Sequence, residues 1–145
     1  MLTVDFNALE APDRGPGMRA AFPISSAEGA AALAVVWIEL VPGGILHEHT
    51  DSAEELLFVV EGEVEGWVGS ERGTLRAGEA VVVPALEPHG LRNVSDASAR
   101  VLGVFASSTN VAVFTEPPGP NGEQVFVIGA PMPLMSTLEE AVAVA

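Results

Sequence analysis

The three histidines of this chain fall in two short segments, His47 and His49 in H-E-H and His89 in P-A-L-E-P-H-G-L-R-N. Side chains alternate faces along a β-strand, so His-x-His turns both rings to one side. A third imidazole from another strand, with a nearby carboxylate, completes a mixed nitrogen and oxygen set suited to first-row divalent metals. The chemistry implied is that of a single metal centre.

The residue types that are missing narrow the alternatives. The chain has no Cys, which removes disulfides, thiolate nucleophiles and Cys-ligated zinc or iron–sulfur sites. It also lacks Lys and Tyr, and with them Schiff-base chemistry and phenolic acid/base work. Every cation is an arginine: Arg14, Arg19, Arg72, Arg76, Arg92 and Arg100. The net charge is −14, with the acids scattered rather than gathered in a tail. Such a surface repels phosphate backbones and anionic membranes, so neither nucleic acid nor membrane is an expected partner. No apolar run reaches membrane-spanning length and no basic stretch precedes an apolar core at the N-terminus, so a cytoplasmic protein is expected.

The elements that must position these residues read as almost all β. At 145 residues the chain fits one domain, residues 1–145, with one sizeable core. Short runs rich in Val, Ile and Phe recur at the spacing of β-sandwiches and barrels, separated by Gly, Pro and Asn. Strands are expected over 19–24, 31–40, 45–49, 55–60, 63–68, 73–76, 80–83, 89–93, 100–106, 111–115 and 124–128. The run A-A-L-A-V-V-W-I does not alternate, so both faces of its strand are expected to be buried, the outer one against a second copy in a homodimer. Ser136-Thr137-Leu138-Glu139 has capping-box spacing and predicts a short C-terminal helix.

The stretch P-G-G-I-L-H-E-H-T-D-S-A-E-E-L-L-F-V-V-E-G-E resembles the first motif of the cupin superfamily: Gly, five residues, His-x-His, three or four residues, Glu, six residues, Gly. Read with His47 and His49 as its histidines, the motif has Val41 in place of the leading Gly. It also has five residues rather than three or four before Glu55, which stands at the right distance from Gly62. The second motif is matched by Gly78, Pro84, His89 and Asn93, with Leu86 in place of its middle Gly. Together the motifs span 42–93. The resemblance implies a cupin-type double-stranded β-helix, or jelly-roll barrel, and metal ligands His47, His49, Glu55 and His89. Glu54 would restore the usual gap, but it faces the other way from Glu55, and the distance to Gly62 favours Glu55. Asn93 is expected to orient a loop rather than touch metal.

Three imidazoles and a carboxylate would leave one or two positions open on the ion for water, O₂ or substrate. Ligand type alone does not choose among Fe, Mn, Ni, Cu and Zn. Ile45, Leu57, Val59, Val81, Val83 and Leu91 share strand parity with the ligands, an apolar setting that favours a small, partly hydrophobic substrate. The resemblance implies a dioxygenase-like enzyme in which Glu55 doubles as proton acceptor. A non-redox isomerase, lyase or cyclase, or a non-catalytic ligand-binding cupin, are the alternatives. Glu48 should point away from the metal, and Arg92 outward into a salt bridge.

Overall fold

A computed structural model describes residues 1–129. Its strands are β1 (Asp13–Gly15), β2 (Met18–Ile24), β3 (Ala34–Leu40), β4 (Ile45–Asp51), β5 (Glu55–Glu61) and β6 (Glu63–Val68). They continue as β7 (Glu71–Arg76), β8 (Ala80–Val83), β9 (His89–Arg92), β10 (Ala99–Phe105), β11 (Asn110–Phe114) and β12 (Val125–Ile128). A 3-10 turn, Ser26–Glu28, follows Ser25, whose hydroxyl accepts the Ala27 amide. The capping-box segment from Ser136 lies outside the described residues. None of the described helices is long and apolar enough to cross a membrane.

The strands form two antiparallel six-stranded sheets, in the orders β1-β2-β3-β10-β5-β8 and β12-β11-β4-β9-β6-β7. The expected all-β architecture is therefore present as two layers with a core between them. Strict alternation builds much of that core. In β10, residues Ala99, Val101, Gly103 and Phe105 are buried while the residues between them are half-buried. Leu40, Leu57, Val59, Val64, Val83 and Leu91 fill the space between the sheets at 1% exposure or less. Each such side chain contributes about 1.5–3 kcal/mol relative to an exposed one.

Strand β3 is buried on both faces, as its unbroken apolar run predicts. Ala34, Val36, Ile38 and Leu40 face the core, while Val35 and Trp37 are buried outside it. Part of the outer cover comes from the chain's own N-terminal segment. Phe6 lies against Trp37 with ring centroids 5.2 Å apart, so burial of Trp37 does not by itself call for a partner.

Strand β4 carries an irregularity at its histidines. Leu46 pairs with Leu91 and His49 with His89, so His47 and Glu48 together oppose the single residue Gly90. This is a β-bulge, and it breaks the two-residue alternation of β4. Gly90 makes the bulge packable, because a Cβ there would strike the Trp67 ring and come within 2.7 Å of the Leu46 carbonyl. The Trp67 indole N–H in turn donates to Glu48 at 3.2 Å. Gly90→Ala is therefore expected to cost about 1–3 kcal/mol, the range for overpacking a filled interior. Chemical denaturation would show this as a lower midpoint with unchanged slope, and an unshifted midpoint would refute the packing argument.

Candidate metal centre

The chain crosses between the sheets three times at one end of the molecule, and two of these crossings carry the candidate ligands. Residues 52–54 carry it from β4 to β5, and residues 84–88 carry it from β8 to β9. His49 and Asp51 stand at the end of β4, Glu55 opens β5 and His89 opens β9. The two crossings thus bring two imidazoles and two carboxylates together between the layers. All four are buried, at 6%, 2%, 3% and 1% exposure for His49, Asp51, Glu55 and His89.

Ligand-capable atoms of His49, Asp51 and His89 all lie within 4.8 Å of one another. His89 Nε2 is 3.0 Å from Asp51 Oδ2 and 3.4 Å from Glu55 Oε1, and His49 Nε2 is 3.4 Å from Asp51 Oδ2. Donors bound about 2.1 Å from one ion stand about 3.0–3.4 Å apart at octahedral or tetrahedral angles, so the spacing fits. Asp51 Oδ2 and His89 Nε2 are close enough to pair as ions, but neither makes an aligned hydrogen bond to any described group. A shared cation between them would satisfy both.

Surrounding contacts fix each donor in place. The carbonyls of His47 and Glu87 lie 2.8 Å from His49 Nδ1 and 2.9 Å from His89 Nδ1. With Nδ1–H donating to each carbonyl, the Nε2 lone pairs are left for the centre. The His49 ring also stacks on Phe114 at 4.7 Å. Asn110, itself buried, donates from Nδ2 to Asp51 Oδ1 at 2.7 Å and accepts the Ala53 amide and Ser52 hydroxyl on its own Oδ1. It ties the first crossing to the carboxylate and leaves Asp51 Oδ2 directed elsewhere. Gly103 leaves room for Glu55, since a Cβ there would lie 2.5 Å from Glu55 Oε2.

The electrostatics follow from burying opposite charges together. Burial lowers the His89 pKa, but the adjacent carboxylates of Asp51 and Glu55, with the Glu87 carbonyl, outweigh it and raise the value to about 10. Burial raises Asp51, yet its contacts with His49 and His89 and the amide of Asn110 hold it well below the usual carboxylate range. Glu55 moves upward, through burial first and through the negative charge of Asp51, against the pull of His89.

The structure thus brings His49, Glu55 and His89 together and adds Asp51, which is absent from the ligand set expected from sequence. Glu55 adjoins the group through His89 but, like half-buried His47, is not among the three residues whose ligand atoms lie within 4.8 Å of one another; His47 lies in the bulge and supplies its carbonyl to His49. Glu54 is exposed. Glu48 turns to Trp67 and Thr115, and exposed Arg92 makes no ion pair among the described residues. Asn93 locks a loop, donating to the carbonyls of Leu40 and Ala97 and accepting the Ser95 amide.

A signal for Asp51 is present in the spacing. Counted from Gly43, five residues lead to His49, one more to Asp51, three to Glu55 and six to Gly62. In that register Asp51 takes the place of the second His, and both departures from the first motif vanish. In the second motif, Leu86 keeps the conformation its missing Gly would adopt, with φ of 66°. Its amide donates to the Asp51 carbonyl at 2.8 Å, joining the two crossings. A left-handed backbone at a bulky residue costs about 1–2 kcal/mol.

A cavity of about 80 Å³ opens beside the group, lined by His49, Asp51 and Glu55 and by Phe22, Phe105 and Phe126 among other apolar side chains. Arg14 also lines it.

The raised His89 pKa gives a testable stability profile for chelator-treated protein. A pKa lifted from 6.5 to about 10 on folding contributes stability that is complete below 6.5 and disappears as pH rises through 10. Thermal midpoints should fall across that window in the wild type and fall much less in Asp51→Asn. Parallel profiles would show that Asp51 and His89 are not electrostatically linked.

A family model described as "Cupin domain" matches residues 36–105, which contain all four buried groups. No curated protein matches the sequence. Among solved structures, the chain resembles an oxalate oxidase in complex with the substrate analogue glycolate at 21% identity and a TM-score of 0.69, over 79% of this chain and 63% of that one. It thus spans about three-fifths of that protein's length. The polyketide cyclase RemF from Streptomyces resistomycificus is 25% identical, with a TM-score of 0.63 over 72% of this chain and 78% of that one. An RmlC-like cupin from Shewanella frigidimarina is 22% identical, with a TM-score of 0.61 over 72% and 88% of the respective chains. The family match spans both of these crossings and the fold is shared with these structures, so residues 36–105 form a small cupin domain.

Proposed function

We propose that this chain is a metal-dependent enzyme acting on a small, partly apolar molecule taken up by the cavity beside His49, Asp51 and Glu55. In this reading one divalent first-row ion (Fe, Mn, Ni, Cu or Zn) is held by His49, Asp51, His89 and Glu55, and Asp51 rather than His47 completes the set. The observation that carries it is the buried pair Asp51 Oδ2 and His89 Nε2, 3.0 Å apart yet not aligned as a hydrogen bond. Two neutral imidazoles and two carboxylates also balance the charge of a divalent ion, which offsets the cost of their joint burial.

A bound ion would supply Lewis acidity toward a substrate oxygen and, for a redox metal, electron transfer to O₂. The chain's residues do the rest. The apolar cavity walls exclude water and select for hydrophobic surface. His47 and Glu87 hold the two imidazoles in one tautomer through their carbonyls, and Asn110 fixes the Asp51 carboxylate. Glu55, whose carboxyl is shifted upward, is suited to take and return a proton from substrate at its Oε1 or Oε2.

Dioxygenase-like oxidation of an enol or diketone is the first reading of the reaction. A non-redox cyclase or isomerase is the second, favoured by the likeness to a polyketide cyclase of comparable length. The protein is read as cytoplasmic and as a homodimer. Leu56, Val60 and Val82 are 41%, 42% and 55% exposed, and Leu56 and Val82 lie in one cross-strand row with Val104 and the buried Val35. That row continues the covered face of β3 into solvent.

Metal content should be measured on protein purified anaerobically without a tag or chelator, followed by titration of the stripped protein. One ion per chain is expected, with uptake abolished in Asp51→Ala, weakened about 10–100-fold in Asn110→Ala and retained in His47→Ala. Because His89 is protonated before the ion arrives, uptake at pH 7 should also release a proton. Loss of uptake in His47→Ala with retention in Asp51→Ala would reverse the ligand assignment. With the ion bound, O₂ consumption on an enol panel supports the first reaction, and turnover indifferent to O₂ supports the second. Light scattering at micromolar concentration should give the dimer mass for the wild type and the monomer mass for Leu56→Glu; a monomeric wild type removes the dimer.

A further inference from the structure

We propose that Arg14 is the anion-binding residue of the cavity, so that the molecule taken up carries a carboxylate or similar anionic oxygen group at the end remote from the metal centre. The inference rests on the proposed metal centre and names the substrate class of that site.

Arg14 lies on β1, is exposed, and lines both the cavity of His49, Asp51 and Glu55 and a second pocket beside it. Its pairing is unusual for this chain. Arg19, Arg72, Arg76 and Arg100 each meet a carboxylate, at 3.1, 3.2, 3.4 and 3.4 Å. With 20 acidic residues against 6 arginines, an acidic partner is the common outcome, yet Arg14 has none among the described residues. Arg92 has none either, but it does not line the cavity.

Two other contacts hold the Arg14 side chain. Its Nε–H donates to the Ala20 carbonyl at 3.1 Å, and its guanidinium lies over the Phe22 ring at 5.4 Å from the centroid. Phe22 lines the cavity too. One hydrogen bond and one ring face orient the planar fork, and among the described residues neither terminal nitrogen has a partner. An arriving carboxylate could therefore accept two charge-assisted hydrogen bonds from a group already in position.

Charge balance points the same way. An ion held by Asp51 and Glu55 would neutralise both carboxylates, and Arg14 would leave the cavity with one net positive charge. A small molecule with an oxygen donor at one end and an anionic group at the other satisfies both poles.

The test uses oxalate, malonate and succinate against their monoamides, oxamate, malonamate and succinamate, titrated into cobalt(II)-loaded protein. Heat and cobalt absorption are followed in the wild type, Arg14→Met and Arg14→Lys. At least one diacid should bind the wild type about tenfold more tightly than its monoamide, the value of a charge-assisted hydrogen bond. Arg14→Met should remove that preference while keeping monoamide affinity within about twofold, and Arg14→Lys should retain part of it. A preference unchanged in Arg14→Met, or absent from every pair in the wild type, overturns the proposal. Failure to take up cobalt would refute the metal centre alone. The same diacids would then be titrated into metal-free protein while the Arg14 Nε–H resonance is followed. A saturating shift sustains the anion site, and no shift removes it.

Discussion

Two carboxylates and two imidazoles share a water-poor space between the sheets, and their mutual charge is the constraint on which the rest of the structure depends. Asp51 and Glu55 cannot both stay ionised there without positive charge nearby. In the chain alone, that charge falls to His89, whose pKa is raised to about 10 as a result. The arrangement is still incomplete, because Asp51 Oδ2 and His89 Nε2 come close without aligning as a hydrogen bond. Groups that converge on a point rather than on each other are better explained by a third body than by a salt bridge.

The surrounding fold serves that convergence. The bulge in β4 turns both Leu46 and His49 toward the interior, and Gly90 gives the Trp67 ring the room that the bulge requires. Asn110 reaches from β11 to hold Asp51, and Gly103 on β10 yields space to Glu55. Leu86 tolerates a left-handed backbone in the second crossing while its amide anchors the Asp51 carbonyl. Strain and close approach thus concentrate within a few residues of the site, where positional precision matters most.

Most of the fold was legible in the sequence because alternation and turn residues are local. The strands from β2 onward, the doubly buried run of β3 and the two motif segments all derive from nearest-neighbour patterns, whereas the three-residue β1 was not expected. His49 and His89, which the structure brings together, lie in those motif segments for the same reason. Asp51 was harder, because His-x-His invites an unbroken two-residue period through His47, whereas one extra residue opposite Gly90 resets the phase. A bulge is a property of two paired strands and leaves little trace in either one. The spacing from Gly43 did record it, since that count puts Asp51 where the motif has its second His. Asn110 and Gly103 lie 59 and 48 residues from the groups they position, beyond the reach of local pattern. The same holds for Phe6 over Trp37, a tertiary contact that replaces part of the cover expected from a partner.

Whether His49, Asp51, His89 and Glu55 converge on one ion is decided by anomalous diffraction from crystals of the cobalt(II)- or manganese(II)-loaded protein. One strong peak is expected at about 2.0–2.2 Å from Asp51 Oδ2 and from the Nε2 atoms of His49 and His89. A peak bound by the His47 ring and away from Asp51, or no peak between the two crossings, would contradict it.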